Sequence, residues 1–250
     1  MIFETDMAQR SDATLREALR NFVAQPDARK APFLQDRFDH GFDGYSYWGQ
    51  SDSKNQYDTD MLHSFVISEF TPPECFPAEF QRFFDTEWES LRKTVRGMER
   101  EIIASVNMPG LNDLHERSIG YMVSCNYYPS TRGARQTARG NTRLSRHKDV
   151  SLLTTFVFGL DAGLSYLDAD GKVREMGQKR HILSFPGYLM EVLSEGRIPA
   201  LNHQVDLPEE ARSERFSFAF FSVPKPGALL CLPRVKMSAE DYHQRYLSLF

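Results

Sequence analysis

A change of hydrophobic period near residue 118 sets the tightest limit on what this chain can fold into. Before it, Phe80, Phe84, Trp88, Leu91, Val95, Met98 and Ile102 recur three or four positions apart, which is one stripe of a helix. That spacing predicts a helix from about Pro77 to Asn107, with Pro77 in its first turn and Pro109-Gly110 closing it. Beyond it, runs at 119–128, 150–158, 164–167, 181–185 and 215–223, with a shorter one at 229–232, are alternating or continuously apolar. They are rich in β-branched and aromatic residues and broken by Gly, Pro and Asp, so they read as strands. Helices followed by a series of strands point to a barrel or sandwich core with helices packed outside.

Two more helices are legible. One starts near Thr14, with Glu17 as a capping-box partner, and buries Leu15, Leu19, Phe22 and Val23 before Pro26 ends it. The other begins at Ser238, with Asp241 at its third position. Residues 33–60 carry Phe42, Tyr45, Tyr47 and Trp48 without a clear period and read as irregular structure packed on a core, with a substrate-facing wall as the sharper alternative. A chain of 250 residues suits one domain: a mainly helical and loop part over 1–118, a strand core over 119–235, and a C-terminal helix over 236–250.

Composition excludes several classes of function. The net charge of −4 gives no global reason to expect nucleic acid or an anionic membrane as partner. No apolar run approaches the ~20 residues that span a bilayer, and the opening MIFETDMAQR has no apolar region of a signal peptide. The three cysteines Cys75, Cys125 and Cys231 are too few and scattered for a disulfide framework, and are expected to be buried, reduced thiols of a cytoplasmic protein.

Chemistry concentrates after the period change. On an extended strand His147 and Asp149 project to the same side. An imidazole plus a carboxylate begins the two-histidine, one-carboxylate set that binds Fe(II). The second histidine must come from a distant strand. His40, His63 and His115 lie upstream in loop or helical segments, and His243 sits on the terminal helix. Of the remaining pair, His181 follows Lys179-Arg180 and reads as a surface or edge-strand residue, whereas His203 follows a Gly196-Arg197 turn and precedes a short apolar step.

Twelve residues beyond His203, Arg215 and Ser217 share a strand face opposite Phe216, Phe218 and Phe220. A guanidinium fork beside a hydroxyl suits capture of a carboxylate. A buried arginine implies an anionic partner, the alternative being an internal salt bridge. Upstream, Asn126 and Tyr128 project together from the end of another strand.

In order, NYYP at 126–129, HKD at 147–149, GLSYLDADGKV at 163–173, FPGYLMEVLSEGRIPALNHQV at 185–205 and RFSFAFFSVPKP at 215–226 resemble the isopenicillin N synthase-like branch of the 2-oxoglutarate/Fe(II) oxygenases. The resemblance covers residues 75–250 well and the first 70 only loosely. It implies a double-stranded β-helix (jelly-roll), with His147, Asp149 and His203 as iron ligands. It further implies that Arg215 and Ser217 bind the distal carboxylate of 2-oxoglutarate, with Tyr128 assisting and Asn126 close by. Fe(II), 2-oxoglutarate and O2 would then oxidise a small molecule by hydroxylation, desaturation or cyclisation, with secondary metabolism as the expected setting. Three departures stand out: an opening strand is not legible, Pro186-Gly187 replaces the usual Gly-Asp, and PEEARSE lengthens the approach to Arg215.

Two rival readings use the same residues. An oxidase of isopenicillin N synthase type needs no 2-oxoglutarate, and Arg215 and Ser217 would then grip the substrate. A jelly-roll that binds a small molecule without turnover is the alternative from another class. Residues 131–148 hold Arg132, Arg135, Arg139, Arg143, Arg146 and Lys148 with no acidic residue; they read as a solvated loop or, alternatively, a basic lid that recruits an anionic substrate. The sequence leaves the oligomeric state open.

Overall fold

The computed structural model describes residues 1–50, 60–130, 142–177, 181–207 and 213–249. The N-terminal part supplies β1 (Phe3–Ala8), α1 (Ala13–Val23), a single turn α2 (Asp27–Lys30), β2 (Gly44–Ser46) and β3 (His63–Ser68). Next come α3 (Gln81–Phe83), a π-helical stretch Phe84–Trp88, α4 (Glu89–Val106) and α5 (Leu111–Ser118). The strands β4 (Ile119–Tyr128), β5 (Thr142–His147), β6 (Leu153–Phe156), β7 (Leu164–Leu167), β8 (Val173–Glu175) and β9 (His181–Pro186) follow. The chain then runs through α6 (Tyr188–Leu193), β10 (His203–Asp206), β11 (Arg215–Pro224), β12 (Leu229–Leu232), β13 (Val235–Ser238) and α7 (Ala239–Leu247).

Seven strands form the major sheet in the order β1-β9-β6-β11-β4-β3-β2, and four form the minor sheet in the order β5-β10-β7-β8. The expected β core with flanking helices is present. The outer face of the major sheet carries Tyr121, Val123 and Cys125 of β4 with Phe216, Phe218 and Phe220 of β11, buried against Leu15, Leu19 and Phe22 of α1 and Trp88, Leu91 and Val95 of the long helix. The inner face is set by the pairing of Arg215 with Tyr128, Ser217 with Asn126, Ala219 with Ser124 and Phe221 with Met122. Because side chains alternate along a strand, this register sends the polar alternates of both strands toward the minor sheet.

Several expectations change. The first helix starts one residue earlier, at Ala13, with Asp12 before it and no side-chain cap, so the Thr14–Glu17 capping box does not form. The long helix is helical from Ala78 onward, with Pro77 just outside its first turn, and Asn107 ends it in the left-handed conformation. An opening strand exists: β1 pairs with β9. His63 lies on a strand, β3, and β2, within the region read as irregular, pairs with it to extend the major sheet. His181 is exposed, but β9 lies between β1 and β6 and is not an edge. Cys125 is buried, whereas Cys75 and Cys231 are exposed. The Ser238 cap forms as expected, with Asp241 N–H donating to its Oγ at 3.0 Å. Among the described residues no helix is long and apolar enough to cross a membrane.

Candidate metal and carboxylate site

Between the two sheets lies a cavity whose walls include His147, Asp149, His203, Tyr128, Asn126 and Ser217. His147 and His203 end and begin the paired strands β5 and β10, directly opposite one another, with ring centroids 4.5 Å apart. Asp149 arrives differently from the strand alternation expected of it. The strand ends at His147, and the carboxylate is delivered by the bend that follows. Its Oδ1 lies 3.3 Å from His147 Nε2, and its Oδ2 lies 3.8 Å from His203 Nε2.

One ligand atom from each of the three lies within 4.8 Å of the others. Metal–ligand bonds of about 2.1 Å place adjacent ligands of one ion ~3 Å apart, so a small inward movement closes this set around a cation. Two imidazoles and one carboxylate suit a non-haem iron that keeps open positions. The tautomers agree with that use. His147 Nδ1 faces the Ser145 carbonyl at 2.8 Å, and His203 Nδ1 faces the Leu201 carbonyl at 3.1 Å. Each ring therefore donates from Nδ1 and turns the Nε2 lone pair toward the same point.

Without a cation the three groups neutralise one another. Burial disfavours charge on His147, but the hydrogen bond and charge of Asp149 outweigh it and raise its pKa. Burial pushes the Asp149 carboxyl up, and the two histidines with the Thr154 hydroxyl bring it below its ordinary value. Burial holds His203 below the ordinary imidazole range, against the pull of Asp149.

The carboxylate end lies where β11 and β4 begin and end. Arg215 is 4% exposed, and its guanidinium sits over the Tyr128 ring, 5.0 Å from the centroid. Nε donates to the Ala162 carbonyl at 3.0 Å and Nη2 to the Asp161 carbonyl at 3.2 Å. Nη1 is buried without a hydrogen-bond partner. No internal salt bridge accounts for this charge among the described residues. An unsatisfied buried donor on a cation is costly, and a ligand carboxylate is what would satisfy it. Burial raises Tyr128 to about 12, Arg215 opposing the rise, so its hydroxyl stays protonated.

Other residues of the site carry no local sequence signal. Thr154 Oγ1 donates to Asp149 Oδ2 at 2.7 Å and exchanges a 2.7 Å contact with Ser151 Oγ. Asp60 Oδ1 accepts from Ser145 N at 2.8 Å and Oγ at 2.6 Å, fixing the residue whose carbonyl orients His147. Arg143, counted above with the solvated basic segment, is buried, and its Nη2 donates to the Ser213 carbonyl at 2.6 Å. Burial and then the charge of Arg215 lower its pKa, which places a second guanidinium near the same end. Of the aromatic residues at 42–48, Phe42 lines the cavity, while Tyr47 and Trp48 are exposed. Residues 131–141 of the basic segment and 208–212 of the expected extra loop lie outside the described residues.

A model of the 2OG-Fe(II) oxygenase superfamily matches residues 119–224, the strands that carry both ends of the site. No curated protein matches the chain. Among solved structures, a full-length Neurospora crassa protein in complex with alpha-KG aligns at a TM-score of 0.75 and 16% identity, over 100% of this chain and 86% of that one. A 2OG-Fe(II) oxygenase family protein from Caulobacter crescentus aligns at 0.70 and 19% identity, over 95% and 85%. A rice dioxygenase for auxin oxidation aligns at 0.68 and 18% identity, over 95% and 81%. At these identities the structures show a shared jelly-roll fold. The family model thus covers the strands that carry the site, and the likeness of fold extends over nearly the whole chain.

Proposed function

We propose that the protein is a 2-oxoglutarate- and Fe(II)-dependent dioxygenase of the isopenicillin N synthase-like branch, oxidising a C–H bond of a small molecule of secondary metabolism. His147, Asp149 and His203 would hold the iron. Arg215, Ser217 and Tyr128 would take the distal carboxylate of 2-oxoglutarate, with Asn126 beside them. The observation that carries this reading is the pairing, in one cavity, of a His-Asp-His set within 4.8 Å and a buried arginine whose Nη1 has no partner. When bound, iron and 2-oxoglutarate supply an O2-derived oxidant strong enough for an unactivated C–H bond.

The chain contributes position and exclusion of water. Thr154 and the two backbone carbonyls orient the three ligands, and Arg215 and Tyr128 set the reach from carboxylate to metal. Away from them the described wall is mainly apolar, through Phe42, Val66, Met122, Val150 and Phe221, with Ser124 as a polar exception. That lining favours an uncharged reacting portion of the substrate. Of the basic segment, Arg143, Arg146 and Lys148 are bonded to Ser213, Gln204 and Glu191, and the anionic substrate it suggested rests on Arg132, Arg135 and Arg139, which lie outside the described residues.

The test is an anaerobic titration of metal-free protein with Fe(II) and then 2-oxoglutarate, watching for the visible charge-transfer band of a chelated 2-oxo acid. The reading expects a band that His203→Ala abolishes. Fe(II) binding without a band supports the oxidase, in which Arg215 anchors substrate. Tight iron binding with no O2 consumption marks a non-catalytic binding protein, and no Fe(II) binding refutes the metal assignment.

A further inference from the structure

Lys148 to Ser151 lie between β5 and β6, outside any strand, yet they carry Asp149. Backbone groups taken out of water must be paired, and here each of the four carbonyls has a donor from a distant helix. The first turn of α6 takes two: Tyr188 N donates to the Asp149 carbonyl at 2.7 Å and Leu189 N to the Ser151 carbonyl at 3.0 Å. Helix α7 takes the alternate pair through side chains. Tyr246 Oη donates to the Lys148 carbonyl at 3.1 Å, and Tyr242 Oη donates to the Val150 carbonyl. The two tyrosines are four residues apart and so share a helix face.

We propose that Tyr242 and Tyr246 are positioning residues for the metal centre, fixing the backbone on either side of Asp149 so that its carboxylate meets both imidazoles. The inference rests on the metal reading above. The Tyr246 bond restrains the peptide that precedes the Asp149 Cα, the Tyr188 N–H holds the one that follows, and the Tyr242 bond restrains the next, at Val150; Thr154 alone, holding one carboxylate oxygen, leaves all three free. Glu191 extends the clamp to the other strand. It receives Lys148 Nζ at 2.9 and 2.8 Å and also accepts from Ala200 N at 2.8 Å, three residues before His203. The C-terminal helix thereby acts on the metal geometry without supplying a ligand.

The experiment compares Tyr242→Phe, Tyr246→Phe and the double variant with Tyr188→Phe. The Tyr188 hydroxyl belongs to the same interface but accepts from Arg245 Nε at 3.3 Å and touches none of these carbonyls. Anaerobic Fe(II) affinity and the visible spectrum of the Co(II)-loaded protein are read beside thermal midpoints. Each single variant is expected to weaken Fe(II) binding about 3- to 10-fold, the value of one hydrogen bond, and to alter the Co(II) bands. Tyr188→Phe is expected to lower only the midpoint. Unchanged metal affinity and spectrum in both single variants, or losses no larger than in Tyr188→Phe, overturn the proposal while leaving the metal reading intact. A wild-type chain that binds neither Fe(II) nor Co(II) overturns both. If the double variant does not fold, the single variants decide.

Discussion

The unpartnered Nη1 of Arg215 makes a quantitative prediction. In the protein alone the guanidinium satisfies two carbonyls and leaves the buried Nη1 amino group, with its two N–H bonds, without an acceptor, a desolvation cost of at least ~1–3 kcal/mol. A carboxylate arriving there recovers that cost and adds charge-assisted bonds. Arg215→Gln removes the charge while keeping a polar side chain in the same register opposite Tyr128. Truncating one partner of a buried charged pair costs about 2–5 kcal/mol, so 2-oxoglutarate affinity is expected to fall on the order of 30- to 4,000-fold. Arg215→Lys keeps the charge but not the fork, and a loss near the lower bound is expected. The assay is a 2-oxoglutarate titration of the Fe(II)-loaded protein, followed by the chelate band, with Fe(II) affinity measured separately. Affinity for 2-oxoglutarate within threefold of wild type in Arg215→Gln refutes the assignment. So does an equal loss of Fe(II) affinity, which would mean that the arginine only supports the fold.

Three further outcomes follow from particular contacts. Thr154→Val preserves shape but deprives Asp149 Oδ2 of its 2.7 Å donor; Fe(II) affinity should drop roughly 10-fold or more by competition with a coloured chelator, and an unchanged value would show that the hydroxyl is dispensable. Gly187→Ala should destabilise the fold by about 1–3 kcal/mol in urea melts, because a Cβ there would lie 2.3 Å from the Ser151 carbonyl oxygen; a neutral effect would mean that the 148–151 segment yields easily. Acid should also destabilise. Burial, then Lys30 for His63 and His40 for His243, lowers both imidazoles to about 4, so the folded state binds fewer protons than the unfolded one between about pH 6.5 and 4. Stability is complete above that window and falls through it as pH drops, by at most ~3 kcal/mol per histidine. His63→Gln should shrink the loss between pH 7 and 4.5, and an equal loss in the variant would remove His63 as a cause.

How far the sequence reveals this molecule depends on whether the cause of each feature is local. The strands β4 and β11 are legible because one face packs on helices and the other lines a polar cavity, which forces Tyr127 and Phe216 to alternate with Asn126, Tyr128, Arg215 and Ser217. By contrast β1 is mostly exposed and charged along FETDMA, and only its pairing with β9 makes it a strand. Five of the six residues of β3 are buried, so it lacks the alternation that marks a half-exposed strand. Arg143 reads as one more solvated cation because nothing in its neighbours announces burial.

The same division runs through the proposed metal site. Spacing points to His147 and Asp149, but the strand stops at the first of them. What carries the carboxylate the rest of the way is a bend with no period of its own, held by the backbone of α6 and two tyrosines nearly a hundred residues away. Ligand identity is thus written in a short motif, whereas ligand geometry is a tertiary property. A chain could keep His147, Asp149 and His203 and still bind iron poorly if the hydroxyls of Tyr242, Tyr246 and Thr154 were lost. Variants at those three hydroxyls separate the motif from the scaffold proposed to shape it into a metal centre.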